Sequence, residues 1–399
     1  VIKKDIEGLP LTRSFCILPW THLYYFNDGY VYPCSSLANK PDMRLGTIDQ
    51  SPKEIWNSKK LRDLRIKMLS NEELPLCNQE CNDSLNSCKK YFGNSLFSSA
   101  SASIQSTNSE GYSDYNFIAW NVFESNKCNL ECTYCDSFHS SSWARKEKKY
   151  INNLNSKKTS NIYSDLSSVE EIWFSGGESM IMKSTLNKMK ELLTLKRNNV
   201  RVRIITNLST NTFTEEFFSI VKQFKNSIIF GSWDLDGERG MFIRKNIDND
   251  LIKKNIKLIN SNGIRFYLQS VISILNIYYY FDFHKRLYEE GLIKKDNVRY
   301  YNLNFPEHLR YSILPENKKN IIKERLISYK KWLISGNELK DFYPNRESPL
   351  STIDKIIECM FTGKHGHHNF SATNNIKFFN TFLKNIILSN KVKLFSELL

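Results

Sequence analysis

No run of apolar residues in this 399-residue chain approaches the ~20 needed to span a bilayer. The longest candidates, such as residues 381–399, are broken by lysines, so no membrane segment is expected. Residues 1–15 lack a basic region followed by an apolar stretch, so no signal peptide is read there and a cytoplasmic protein is expected. The first residue is Val, not Met, and is not taken as the natural start. No internal repeat is apparent. The nine cysteines are odd in number, and a secreted disulfide framework is not expected in a chain this long without an export signal. Global disorder is also excluded, because 41% hydrophobic and 13% aromatic residues suffice for a sizeable core. The length suggests about two to three domains. Lys and Arg number 56 against 42 Asp and Glu, a net charge of +14. Such a balance favours an anionic partner, whether nucleic acid, a charged metabolite or an anionic cofactor bound at one place.

The cysteines cluster. Cys16, Cys34, Cys77, Cys81 and Cys88 lie early, Cys128, Cys132 and Cys135 fall within eight residues, and Cys359 stands alone. Grouped thiols in a reducing compartment bind a metal or a cluster more often than they pack as ordinary core residues. Residues 1–94 carry a hairpin signal, 22–26 and 30–32 around Asn27-Asp28-Gly29. Ser51-Pro52 then opens a helix expected to run to about Leu69, with Ile55, Trp56, Leu61, Leu64 and Met68 on one face. Residues 95–114, rich in Ser and small polar residues, are expected to be a linker. From 115 to 313 the pattern alternates. Strands are expected at 116–124, 169–174, 200–206, 227–233, 264–274 and 297–304, with helices near 140–152, 180–196, 214–225, 249–261 and 280–290. Such alternation implies parallel βα units, in either a complete or partial barrel or an open doubly wound sheet. Residues 314–399 are expected to be a mostly helical extension, with a basic stretch around 318–331 read as a solvated helix face.

The sharpest motif is Cys128-Asn129-Leu130-Glu131-Cys132-Thr133-Tyr134-Cys135, directly after the first strand of the alternating region. Zinc normally takes four ligands, often as paired knuckles, and no fourth is close by. Three thiolates suit a [4Fe–4S] cluster with one iron left open. One unit later, Trp173-Phe174-Ser175-Gly176-Gly177-Glu178 ends the second strand, and two glycines there admit a close backbone approach to a ligand. Asn207, Asp234 and Asn276 follow the third, fourth and fifth strands, and Pro306 the sixth. In a barrel of parallel strands the active site gathers at these C-terminal ends.

On these motifs, residues 115 to about 306 resemble the radical S-adenosylmethionine (radical SAM) superfamily. The resemblance implies an α/β fold, a partial (β/α)6 barrel with a small N-terminal Fe–S domain and a helical tail. It implies that Cys128, Cys132 and Cys135 hold the catalytic cluster, whose open iron is chelated by SAM. It assigns Tyr134, Gly176, Gly177, Glu178, Asn207, Asp234 and Arg244 to cofactor binding. Gly176-Gly177-Glu178 corresponds to the motif that meets the SAM amino group, and Arg244 to an arginine that meets its carboxylate in some relatives. Relatives often read Ser-x-Asp-Gly where this chain has Asp234-Leu235-Asp236-Gly237, a departure at the ribose position.

The N-terminal cysteines resemble a twitch or SPASM auxiliary-cluster domain, placed here before the barrel as in one branch of those proteins. Cys16-Ile17-Leu18-Pro19-Trp20, Tyr32-Pro33-Cys34, Glu54-Ile55-Trp56-Asn57 and Cys77-Asn78-Gln79-Glu80-Cys81 carry that likeness. It implies an auxiliary cluster, expected to be [4Fe–4S], on Cys16, Cys34, Cys77 and Cys81, with Cys88 able to replace one of them. A structural zinc at these positions is the alternative. His365-Gly366-His367-His368 is read as a loop, not a metal site.

The implied reaction is reductive cleavage of SAM to methionine and a 5′-deoxyadenosyl radical, which takes a hydrogen atom from the substrate. The auxiliary cluster would accept an electron, making the reaction an oxidation, or would orient the substrate; oxidoreductase-like and epimerase-like outcomes both stay open. No separate peptide-recognition domain is apparent, which favours a small molecule, and the charge favours an anionic one. An electron donor such as flavodoxin or ferredoxin is implied. The competing reading is a metal-stabilised, non-enzymatic protein that binds nucleic acid through its basic surface.

Overall fold

The N-terminal hairpin forms as its turn dictates. In the computed structural model of the chain, β1 (His22–Tyr25) and β2 (Tyr30–Tyr32) pair antiparallel with Tyr24 opposite Tyr32. Gly29 takes the φ of 89° that the turn requires, and Asp28 accepts from the Tyr30 amide at 3.1 Å. The structure describes residues 15–26, 28–70, 72, 74, 75, 77, 97–123, 125–149, 168–335, 349–363 and 372–398. β3 (Gly46–Thr47) adds to β2.

The single helix expected from Ser51 to Leu69 is two, α1 (Pro52–Trp56) and α2 (Lys59–Leu69). Ser51 and Glu54 close a capping box, Glu54 N to Ser51 Oγ at 3.3 Å and Ser51 N to Glu54 Oε2 at 2.7 Å. The break falls at Asn57-Ser58. Ser58 is extended (φ −57°, ψ 148°), and the Asn57 side chain leaves the helix to bond Ser113 N and O at 3.2 and 3.1 Å. Beneath it lies Arg65, 0% exposed. Its guanidinium donates to the carbonyls of Pro19, Trp56 and Gly111 at 2.9, 2.9 and 3.3 Å and to Asn57 Oδ1 at 2.8 Å. These bonds answer the polar cost of burying it.

The linker reading of 95–114 is corrected. α3 (Phe97–Gln105) is a helix with Ala100, Ser103 and Ile104 buried, and the Trp20 indole donates to Thr107 Oγ1 at 2.8 Å. Small side chains here make a face that packs closely, so a composition that suits a flexible tether serves close packing instead. The N-terminal segment is moreover joined to the alternating region in one sheet. β1 runs parallel to β4 (Ala119–Phe123), His22 opposite Ala119.

The alternating region then delivers β5 (Glu131–Cys132), α4 (Ser141–Lys146), β6 (Glu171–Ser175), α5 (Lys183–Thr194), β7 (Arg201–Thr206), α6 (Glu215–Val221), β8 (Asn226–Ser232), α7 (Gly237–Ile243), β9 (Arg244–Lys245), α8 (Asn249–Ser261), β10 (Arg265–Ile272), α9 (Tyr280–Glu289) and β11 (Val298–Asn302). The strand order is β11-β10-β8-β7-β6-β4-β1-β2-β3, with β5 and β9 in a separate two-stranded ladder. The six expected strands pair in parallel, each to its neighbour. The sheet is not closed, so the partial (β/α)6 barrel stands, with β1 added beside β4.

Residues alternate across this sheet with period two. Tyr300 and its partners meet α9 and the following helix on one face. On the opposite face the rings of Trp173, Phe230 and Tyr267 stack at 5.4 and 5.9 Å, and the Arg299 guanidinium lies 4.1 Å over Phe230. At the lower end of that face Glu171, fully buried, meets Arg201 at 3.0 Å and Arg203 at 3.9 Å.

The tail is helical as expected, with α10 (Glu316–Ile334), α11 (Pro349–Thr362) and α12 (Ala372–Leu388). α11 packs on α10 and β11, and α12 lies across the 3-10 turns at Glu307–Leu309 and Tyr311–Ile313. Arg239 pairs with Glu397 at 2.7 Å and Lys391 with Glu238 at 2.8 Å, fastening the C-terminal end to α7. Among the described residues no helix is long and apolar enough to cross a membrane.

Two buried imidazoles make this fold acid-sensitive. Nδ1 of His22 lies 2.7 Å from the Ala119 carbonyl, and burial pulls its pKa down to about 4. His284 bonds the Tyr329 hydroxyl, and burial pulls it down to about 3. Below pH ~6.5 the unfolded chain binds protons that the folded chain refuses, so each ring removes about 1.4 kcal/mol per pH unit until its folded pKa is reached. The urea midpoint is therefore expected to hold from pH 8 to 7 and fall steeply from 6 to 4.5, with His284→Gln flattening the fall. A midpoint level down to pH 4.5 would show that both rings protonate without unfolding.

Candidate functional site

β4 ends at Phe123, and the loop after it carries the three clustered cysteines at the C-terminal ends of the parallel strands. The base of the loop is held before the first thiol is reached. Asn126 Nδ2 donates to Ser137 O at 2.9 Å, and the Asn126 carbonyl accepts from Ser141 N at 2.7 Å. Cys128 N donates to Ser141 Oγ at 3.2 Å. The second thiol belongs to β5, whose partner β9 sets Cys132 opposite Arg244 and Glu131 opposite Lys245. The Trp143 indole donates to the Cys132 carbonyl at 2.9 Å, and Cys135 N donates to the same oxygen at 3.1 Å. Thr133 N reaches Ile243 O at 2.8 Å.

Burial pushes the Cys128 thiol up to about 11, with Glu178 and Cys132 adding to the rise. It raises Cys132 and Cys135 as well. Bare thiolates are thus costly here and call for a positive centre. Two donors point at sulfur, Leu130 N of the loop at 3.4 Å from Cys128 Sγ and Arg244 Nη1 of β9 at 3.8 Å from Cys132 Sγ. Among the described residues no three His, Cys, Asp or Glu side chains are arranged to hold a single metal ion. In a [4Fe–4S] cluster the thiolates bind different irons, so three sulfurs need not close on one point. The donor set fits an iron–sulfur cluster.

The two glycines stand where an added side chain would clash. Gly176 has φ 131°, and a Cβ on Gly177 would stand 2.3 Å from Lys127 O and 2.4 Å from Asn126 O. What comes close is the chain's own backbone, the lead-in to Cys128. Gly177 N donates to Ser125 O at 3.0 Å and Glu178 N to Lys127 O at 2.8 Å. The pair of glycines locks the second strand's loop to the cysteine loop.

Glu178 turns inward. It is 1% exposed, its Oε1 accepts from Met180 N at 2.9 Å and its Oε2 from Asn207 N at 2.6 Å. Burial raises its pKa. Both carboxylate oxygens thus bind backbone amides, which fixes the orientation of the side chain. Asn207 continues the chain of bonds, with Nδ2 donating to Asn129 Oδ1 at 2.8 Å, and Asn129 Nδ2 donating to Ser209 O at 2.6 Å.

A second network forms on the far side of the loop. Asp234, 1% exposed, takes Arg244 at 2.8 and 3.3 Å, Val271 N at 2.9 Å and the Tyr134 hydroxyl. Asn276 Nδ2 donates to Val271 O at 2.8 Å. The Tyr134 ring lies 5.6 Å from the Arg244 guanidinium. Burial raises Tyr134; although burial opposes charge on Arg244, Asp234 and its neighbours hold it firmly protonated. Tyr134, Asp234 and Arg244 thus form one bonded group.

The structure thus brings Cys128, Cys132, Cys135, Tyr134, Gly176, Gly177, Glu178, Asn207, Asp234 and Arg244 into one connected region. It adds Asn129, Ser141 and Trp143, which no spacing signal marked. In the N-terminal segment Cys34 is buried and Cys16 and Cys77 partly buried, none of them in a disulfide. Cys81, Cys88 and the 365–368 histidine stretch lie outside the described residues.

Residues 124–283 match the model of the radical SAM superfamily, and residues 16–82 that of an iron–sulfur cluster-binding domain, SPASM, in the order expected. These matches imply SAM, a [4Fe–4S] cluster and a further iron–sulfur cluster as cofactors. No curated protein matches the chain significantly. Among solved structures, anSMEcpe with bound AdoMet is similar at 17% identity and a TM-score of 0.43, over 55% of this chain and 62% of that one. Streptococcus suis SuiB bound to S-adenosylmethionine is similar at 17% identity and a TM-score of 0.36, over 60% of this chain and 50% of that one. The chain therefore spans less than two thirds of the length of either structure.

Proposed function

We propose that this chain, a radical SAM region preceded by an iron–sulfur cluster-binding domain, is an enzyme that cleaves SAM reductively and abstracts hydrogen from a small anionic substrate. The observation that carries the reading is the three-thiol loop, raised in pKa by burial and tied on both sides to the strand ends. When bound, the cluster and SAM supply a 5′-deoxyadenosyl radical able to attack an unreactive carbon–hydrogen bond. Cys128, Cys132 and Cys135 hold the cluster. Gly176 and Gly177 press the second strand's loop against the cysteine loop, which leaves backbone groups to meet the SAM amine, while Glu178 and Asn207 keep that loop in place.

The net charge of +14 supports an anionic substrate. Cys16, Cys34, Cys77 and Cys81 are assigned to the auxiliary cluster, and an electron donor such as flavodoxin or ferredoxin completes the reaction. A cavity of about 750 Å³ is walled by Glu131, Thr133, Trp143, Phe242 and Phe382. The nucleic-acid reading is not favoured, since neither matched family is one of nucleic-acid binding.

The test is anaerobic preparation of the full chain, with iron, sulfide and zinc measured before reductant and SAM are added. Two cubane clusters give about eight irons and eight sulfides per chain, and 5′-deoxyadenosine and methionine should appear together. Zinc with little iron, or SAM left intact, would reject the reading.

A further inference from the structure

We infer that Arg244, fixed by Asp234, sets the reduction potential of the cluster on Cys128, Cys132 and Cys135 through the Cys132 sulfur, and is not the anchor of the SAM carboxylate. The inference rests on the cluster proposed for that loop. Three observations carry it. The two-residue ladder of β5 and β9 puts Arg244 directly across from Cys132, and Nη1 lies 3.8 Å from the sulfur. Nε and Nη2 are held by Asp234 at 2.8 and 3.3 Å. Asp234 is itself fixed by Val271 N at 2.9 Å and the Tyr134 hydroxyl, so the guanidinium has little freedom to swing toward another anion. Arg244 is 8% exposed and Asp234 1%.

The physical consequence is directional. A cluster that accepts an electron places more negative charge on its sulfur ligands. An N–H donor and a fixed positive charge at one of them stabilise the reduced form and raise the potential. In a site closed to water that charge is poorly screened. Asp234 acts in the opposite sense, because its negative charge disfavours the added electron. The pair is therefore a graded setting: the carboxylate holds the cation against the sulfur and tempers its effect.

The experiment is a reductive titration of the anaerobically loaded full chain without SAM, followed on the paramagnetic signal that changes when SAM is later added, which marks the open-iron cluster. Wild type, Arg244→Met, Arg244→Lys and Asp234→Asn are compared, with iron counted in each. Arg244→Met should move the midpoint to more negative potential, Arg244→Lys should move it less, and Asp234→Asn should move it to more positive potential. Opposite signs from the two partners are what a purely structural role would not produce. An unmoved midpoint in Arg244→Met at full iron content, or shifts of the same sign, would overturn the inference. If Arg244→Met fails to hold iron, the opposed shifts of Arg244→Lys and Asp234→Asn decide, and their absence overturns it. A loss of SAM affinity of tenfold or more with the midpoint unmoved would return Arg244 to the SAM carboxylate. A wild type that holds no such cluster would sink the underlying reading and not this step alone.

Discussion

Cys132→Ala is expected to abolish 5′-deoxyadenosine formation while the chain stays folded. Cys132 is the thiol most enclosed by the loop, 8% exposed, and its side chain is the part replaced. The bonds that hold its backbone, Trp143 Nε1 and Cys135 N to its carbonyl at 2.9 and 3.1 Å, do not involve the sulfur. The fold should therefore survive the loss of one buried sulfur atom, at a cost of about 1–2 kcal/mol. The cluster should not survive, because two thiolates would be left to hold it. Iron should fall from about eight to about four per chain, the remainder belonging to the N-terminal site. SAM cleavage should drop by ~1,000-fold or more, to the background of the assay, equivalent to about 4 kcal/mol or more of lost catalysis. Iron and product formation at wild-type levels would remove Cys128, Cys132 and Cys135 from the centre of the reaction.

Gly177→Ala is expected to be nearly as damaging although it touches no thiol. The added Cβ would meet Lys127 O at 2.3 Å, Asn126 O at 2.4 Å and Asn126 C at 2.5 Å. All three are backbone atoms, so no side chain can rotate away, and the lead-in to Cys128 must move. A displacement of about 1 Å at a reacting centre commonly costs ~100-fold in rate. The expected result is a loss of that order in 5′-deoxyadenosine formation, with less iron held by the cysteine loop. Gly263→Ala is the control. It sits in the turn after α8 with φ 70° and no atom within 4 Å of an added Cβ, so it should cost about 1 kcal/mol of stability and leave cleavage intact. Equal activity in Gly177→Ala and wild type would show that the two loops are not rigidly joined.

The alternating strands and helices are legible because each depends on local pattern. The six strands expected between 116 and 304 appear at β4, β6, β7, β8, β10 and β11, with ends shifted by up to three residues. The cysteine loop is legible for the same reason, since spacing alone brings its thiols together. What the sequence hides is set by distant partners. Nothing local announces that Gly177 packs on Asn126, that Glu178 faces Asn207, or that Arg244 stands across from Cys132, 112 residues away. Each of those residues carries a signal for closeness or charge, but not for whom it serves. The Ser-rich stretch misleads for a related reason: small polar residues suit a flexible tether and a close helix contact equally, and only the neighbours of Ala100 and Ile104 decide.

The placement of β1 beside β4 bears on how the protein is made. His22 and the Ala119 carbonyl it meets are separated by 97 residues. At synthesis rates of about 5–20 residues per second, the hairpin leaves the ribosome some 5–20 s before the strand that covers its edge. Through that interval Cys16 and Cys34 are already outside, on a sheet with an open side, while the loop of Cys128 has yet to be translated. The newborn chain therefore carries its first thiols on an unfinished sheet for that interval, and is open to oxidation at the end that emerges earliest.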